Sequence, residues 1–110
     1  LKLDGTFGPV TEKALKDYTE SIRLDDFDPN AYYLRGSIQV TLGAYETALK
    51  DLSKSIDINP DNPDGFAVRA MAYAYLGNTS ESERDAVTAK TLGFDENILD
   101  QLLDGIQISR

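Results

Sequence analysis

The chain has 110 residues, 41% of them hydrophobic, and its 19 acidic and 11 basic side chains leave a net charge of −8. It has neither cysteine nor histidine, which removes disulfides, thiolate chemistry, the usual zinc ligands and the usual general base. The acidic surplus argues against nucleic acid and anionic membrane surfaces, and no apolar run reaches the roughly 18 residues of a membrane span.

This length holds one domain. The first residue is Leu1 rather than Met, so the chain reads as a piece of a longer protein. No basic start followed by an apolar stretch marks a secretory signal, and the compartment stays open.

Residues 1–9 carry turn chemistry in Asp4-Gly5 and Gly8-Pro9. A helix is predicted from about Val10 to Leu24, with Ala14, Leu15, Tyr18 and Ile22 at helical spacing. The stretch Asp25–Asn30 breaks it, and a second helix follows from about Ala31 to Leu42, closed by Gly43. A third runs from Tyr45 to Ile58, up to Asn59-Pro60-Asp61-Asn62-Pro63. The fourth covers Gly65 to Leu76 and is capped by Gly77. The fifth runs from about Ser80 to Leu92-Gly93. The last, from Glu96 to about Gln107, aligns Ile98, Leu99, Leu102, Leu103 and Ile106 on one side. No segment alternates like a half-buried strand, so the prediction is all-α.

The helices echo each other. Pro29 and Pro63, Tyr32 and Phe66, Arg35 and Arg69, and Leu42-Gly43 and Leu76-Gly77 all recur at a spacing of 34. Asp17, Asp51 and Asp85 form a further series at the same interval. A fixed period of this size marks a stack of units, each burying its apolar side only against its neighbours. Gly36, Ala48, Ala70 and Ala89 are the short side chains through which paired helices approach closely. Tyr32 and Phe66 fill the space between units.

The unit resembles the tetratricopeptide repeat. That resemblance rests on Tyr32, Gly36, Leu42-Gly43, Tyr45, Ala48, Ser55 and Pro60 in residues 29–62. The next unit, residues 63–94, keeps Phe66, Ala70, Leu76-Gly77 and Ala89. It departs at Thr79, Ser82 and Phe94, where tyrosine, alanine and proline are expected, so its second helix is expected to pack less well. Residues 10–28 match only a second helix, through Ala14, Tyr18, Ser21 and Ile22. Residues 95–110 form a capping helix that places Asp100 at the aromatic position. The fold implied is an α–α superhelix of tetratricopeptide helix–turn–helix repeats with a C-terminal capping helix, in one domain over residues 1–110.

Four features compete for a functional role. The first is the charged series: pairing within a unit matches Arg35 to Asp51 and Arg69 to Asp85 and leaves Asp17 over, which suits a bidentate bond orienting two helices. The second is the loop from Asp57 to Gly65, where Asp57, Asn59 and Asp61 take the first, third and fifth places of an EF-hand. Asn62 stands where that loop needs glycine and Val68 where it needs glutamate, so the stretch reads as an inter-repeat turn. No metal or cofactor is expected. The third is Leu3 to Leu15, which with Tyr18 is similar to the turn-and-helix signature of small peptidoglycan-binding domains but lacks the helices that family sets around it.

The resemblance to tetratricopeptide arrays implies a protein-interaction module whose concave surface is lined by first helices. Carried onto this chain, those positions are Asn30, Tyr33, Leu34, Ser37, Val40 and Thr41, then Val68, Met71, Ala74 and Tyr75. None is basic, and Tyr33, Ser37 and Val68 stand where the family's carboxylate clamp has cationic or amide groups. An apolar groove with methionine and tyrosine suits a hydrophobic peptide of a partner protein. The alternatives are a segment of a longer solenoid that self-associates through exposed repeat ends, and a cell-wall-targeting module. No catalytic residue is expected.

Overall fold

A computed structural model describes residues 8–106, and the side chains from Thr11 onward. Six helices follow one another: α1 (Gly8–Leu24), α2 (Pro29–Thr41), α3 (Tyr45–Ile58), α4 (Pro63–Tyr75), α5 (Thr79–Thr91) and α6 (Glu96–Asp104). There is no strand among the described residues. α2 pairs with α3 and α4 with α5 as antiparallel hairpins, α1 lies against α2, and α3 lies against α4. The described body measures 32 × 32 × 20 Å. No helix is long and apolar enough to cross a membrane among the described residues.

The helix ends follow from local chemistry. Asp28 and Asn62 cap α2 and α4, their side-chain oxygens accepting from the amides of Asn30 at 2.9 Å and Asp64 at 3.0 Å. Pro29 and Pro63 therefore open these helices, two residues earlier than the sequence suggests. Proline fits that place because its missing N–H is one the first turn leaves unpaired anyway. Gly43, Gly77 and Gly93 take the left-handed conformation, with φ of 84°, 79° and 113°. After each, the next amide reaches back to a carbonyl five residues earlier, in Ala44 to Gln39, Asn78 to Tyr73 and Phe94 to Ala89, each at 2.9 Å. One turn design thus closes α2, α4 and α5.

That last closure shifts the register of α6. Its N-cap is Asp95, whose side chain accepts from the Ile98 amide at 2.9 Å. The N-caps Asp28 and Asn62 lie 34 positions apart, but Asn62 and Asp95 only 33. Leu99, not Asp100, therefore occupies the place of Tyr32 and Phe66, and its side chain is fully buried. α6 also stops at Asp104, with Gly105 at its C-cap, rather than running to Gln107, which lies outside the described residues.

The core falls into two clusters. Val40, Ala48, Leu52 and Ala72 form one, with Tyr33, Tyr45, Leu49 and Val68 packed on it. Ala67, Ala70, Ala86, Ala89 and Leu99 form the other, backed by Phe66, Phe94 and Leu103. The second is built on four alanines, so Leu99 of α6 supplies its bulk. The second helix of this unit does pack: Ser82, where alanine was expected, is buried and donates to the Ala70 carbonyl at 2.8 Å. Ser55 likewise donates to the Pro29 carbonyl at 2.9 Å, fastening α3 to the start of α2.

Gly36 has no space for a side chain. A Cβ there would lie 2.8 Å from Leu52 Cγ, inside van der Waals contact with a fully buried residue. Gly36→Ala is expected to lower unfolding free energy by about 1–2 kcal/mol through overpacking, despite the better helix propensity of alanine. Urea unfolding followed by far-ultraviolet circular dichroism reads this. A midpoint at or above wild type would mean that Leu52 yields without cost.

Candidate functional site

Two kinds of first-helix residue can be separated by where they point. Arg35 and Arg69 point back into the joints between helices. Arg35 donates from Nε and Nη2 to the two carboxylate oxygens of Asp51, at 2.6 and 2.7 Å. Arg69 does the same to Asp85, at 2.7 and 2.9 Å. The aspartate side chains are 8% and 5% exposed, and the arginines 21% and 20%. These carboxylates, acting first through their hydrogen bonds, hold both guanidinium groups above the ordinary arginine range. Asp17, left over from the series, pairs on the surface with Lys13 at 3.0 Å.

Each arginine has a second partner that sequence reading missed. Nη1 of Arg35 donates to Thr19 Oγ1 of α1 at 3.2 Å, and Nη1 of Arg69 to Ser53 Oγ of α3 at 3.1 Å. Both hydroxyls lie 16 residues before their arginine, mirroring the aspartates 16 residues after. Thr19 and Ser53 are themselves 34 apart, so the repeat spacing held the signal. Each first-helix arginine thus joins its own unit's second helix to the preceding one. Phe66 and Tyr73 flank Arg69, their ring centroids 5.7 and 5.9 Å from its guanidinium carbon.

The outward residues of α2 and α4 divide again. Leu34 and Tyr75 are 37% and 42% exposed, Asn30 and Thr41 are exposed, and Met71 is half-buried. Tyr33 and Val68 are half-buried on the first core cluster, so they form a floor. Val40 and Ala74, assigned to the binding face by their spacing, are buried instead, 8% and 6% exposed. Val40 lies where α2 closes on α3, against Ala48 and Leu52, which takes it out of reach of a ligand. Ser37 and Thr41 spend their hydroxyl donors on their own helix, at the carbonyls of Tyr33 and Ser37. Tyr45, read from the sequence only as a packing residue, stacks on Tyr75 with centroids 4.6 Å apart and planes at 7°. The peptidoglycan-like motif has its turn at residues 3–7, outside the described residues.

Burial pushes the Tyr33 phenol above its usual range, and the Asp64 carboxylate adds to this. Its native pKa is then above the unfolded value near 10. The stability it contributes is complete below that value and lost as pH climbs through the native one. Thermal stability should fall above about pH 10, with a smaller fall in Tyr33→Phe. Equal alkaline losses in the two proteins would put Tyr33 in water. For the ion pairs, Asp51→Ala or Asp85→Ala is expected to cost about 2–3 kcal/mol, because a partly buried guanidinium loses its partner. Arg35→Leu with Asp51→Leu should cost less than Asp51→Ala alone. A double-mutant cycle by urea unfolding measures this, and purely additive losses would show that the pair is uncoupled.

The family profile of the tetratricopeptide repeat matches residues 29–62, which span the α2–α3 hairpin and its exit turn. No curated protein matches the chain. Residues 29–62 thus carry a tetratricopeptide repeat, and a second helical hairpin packs in succession after it.

Proposed function

We propose that the chain holds an apolar peptide segment of a partner protein on the outward face of α2 and α4. A tetratricopeptide repeat supports a protein–protein interaction or scaffold module, and the family is generally non-catalytic. The observation that carries the finer reading is the exposure of Leu34 and Tyr75 on neighbouring first helices, above a floor of Tyr33 and Val68. Large apolar side chains left in water on a rigid surface are what an interface core is made from. Met71 adds an adaptable thioether between them, and the Tyr45–Tyr75 stack holds one wall in place. Asn30 and Asp64 at the helix starts offer polar groups that fix the direction of a bound chain.

Affinity capture from source-cell lysate, with wild type and a Leu34→Ala, Tyr75→Ala double variant side by side, tests the face. The captured partner should bind the variant at least about tenfold more weakly, a change of roughly 1.4 kcal/mol. The melting curve should move little, since both side chains are exposed. Tyr33→Ala is the wrong probe, because its loss of core packing lowers stability by about 1–3 kcal/mol. Equal capture by both proteins would remove the α2–α4 face from consideration.

A further inference from the structure

Among the described residues, the second full unit is covered differently from the first. In the first full unit, the floor made by Val40, Ala48 and Leu52 is covered by Ala72 of α4, with Val68 packed beside it. The matching floor in the second unit is Ala74, Ser82 and Ala86, and α6 is the helix placed to cover it. By the 33-residue register, the counterparts of Val68 and Ala72 on α6 are Gln101 and Gly105, both exposed. α6 has nine residues where α4 has thirteen, so it ends before reaching the start of α5. A cleft of about 390 Å³ remains, floored by those three small residues and walled by Val87 and Leu103.

The arginine bridge fails at the same place. Thr19 and Ser53 are followed 34 residues on by Val87, which is 63% exposed. Arg35 and Arg69 are followed at the α6 register by Leu102, which is 40% exposed and neighbours the 51%-exposed Ile98 one turn away. Both halves of a polar joint have become apolar and face water. Around them the charge is one-sided. Residues 79–106 hold seven carboxylates and two cations, and Arg69 takes one of the seven, Asp85. Lys90 at the cleft bonds Asp100 at 2.7 Å, with Glu96 and Asp104 close enough to hold it further in its charged form. Glu83 stands on the opposite lip.

We propose that the cleft between α5 and α6 is a docking site for a basic amphipathic helix of a partner protein. The molecule supplies the template for the occupant's shape, because an α-helix presenting valine and alanine four residues apart fills the equivalent space one unit earlier. The acidic lips select its charge: lysine or arginine flanking the inserted apolar side chains meets Glu83 and the carboxylates of α6. This site is separate from the α2–α4 face and does not depend on it.

The test is a calorimetric titration with a synthetic helical peptide of leucine, alanine and lysine, about 18 residues long, beside its glutamate counterpart. The wild-type chain should bind the lysine peptide saturably, and more weakly as salt rises. Glu83→Lys and Val87→Lys, both exposed and checked for helicity, should each weaken binding about tenfold. Leu34→Ala with Tyr75→Ala should leave it unchanged. No saturable binding, equal binding of both peptides, or insensitivity to the α5 variants would overturn the proposal. So would loss of binding in the Leu34, Tyr75 variant, which moves the peptide to the other face. Sedimentation showing a dimer that Val87→Lys dissolves would overturn it too, by giving the cleft to a second copy.

Discussion

Paired helices can come close only where neither side chain takes up room, and everything else in this fold is hung on that contact. At Gly36 the α2 backbone lies directly on Leu52, with no space for a methyl group between them. In the second hairpin Ser82 draws α5 onto α4 at Ala70 by a hydroxyl-to-carbonyl bond of 2.8 Å. This closeness puts Asp51 and Asp85 within a bidentate reach of the arginines one residue before Gly36 and Ala70. The arginines then reach back to α1 and α3 through Thr19 and Ser53. A close pair thus fixes a polar joint, and the joint fixes the angle to the unit before. Such a joint orients more than it stabilises, since desolvation of the charges offsets much of their attraction.

How much of this was legible depended on whether a residue acts locally. Helix number, the all-α class and the within-unit register of Arg35 and Arg69 followed from turn residues and spacing, because those features are set by a few neighbours in sequence. Pro29 and Pro63 misled by two residues, as proline marks a break or an opening according to what caps the amides after it. The binding face was harder. A 3.6-residue period gives a stripe along α2, but whether a member of that stripe is open depends on the tilt of the next helix. That tilt leaves Leu34 in water and buries Val40, two turns along the same helix. The position of Leu99 was hidden for another reason: counting 34 throughout assumes equal helices, while α5 has 13 residues where α3 has 14.

The two outward features differ in kind. The α2–α4 face is complete, with a packed floor and exposed leucine and tyrosine above it. The α5–α6 cleft is a gap, left where a helix one turn too short meets a floor of small residues. The first is a surface that the repeat makes wherever two first helices adjoin. The second exists only because the pattern changes, and its polar and apolar residues have been exchanged at the same time as its length. A stack of identical units would have neither the gap nor the concentration of carboxylates beside it.

The single residue missing between Asn62 and Asp95 amounts to a phase. One position along an α-helix is a rotation of about 100°, so α6 presents to α4 a face that plain counting would have aimed elsewhere. A repeat grafted behind Gly93 by the 34-residue rule would turn its leucines toward solvent and an aspartate toward the alanine core. Extending this array would therefore begin with resetting an angle, before any choice of sequence for the added helices.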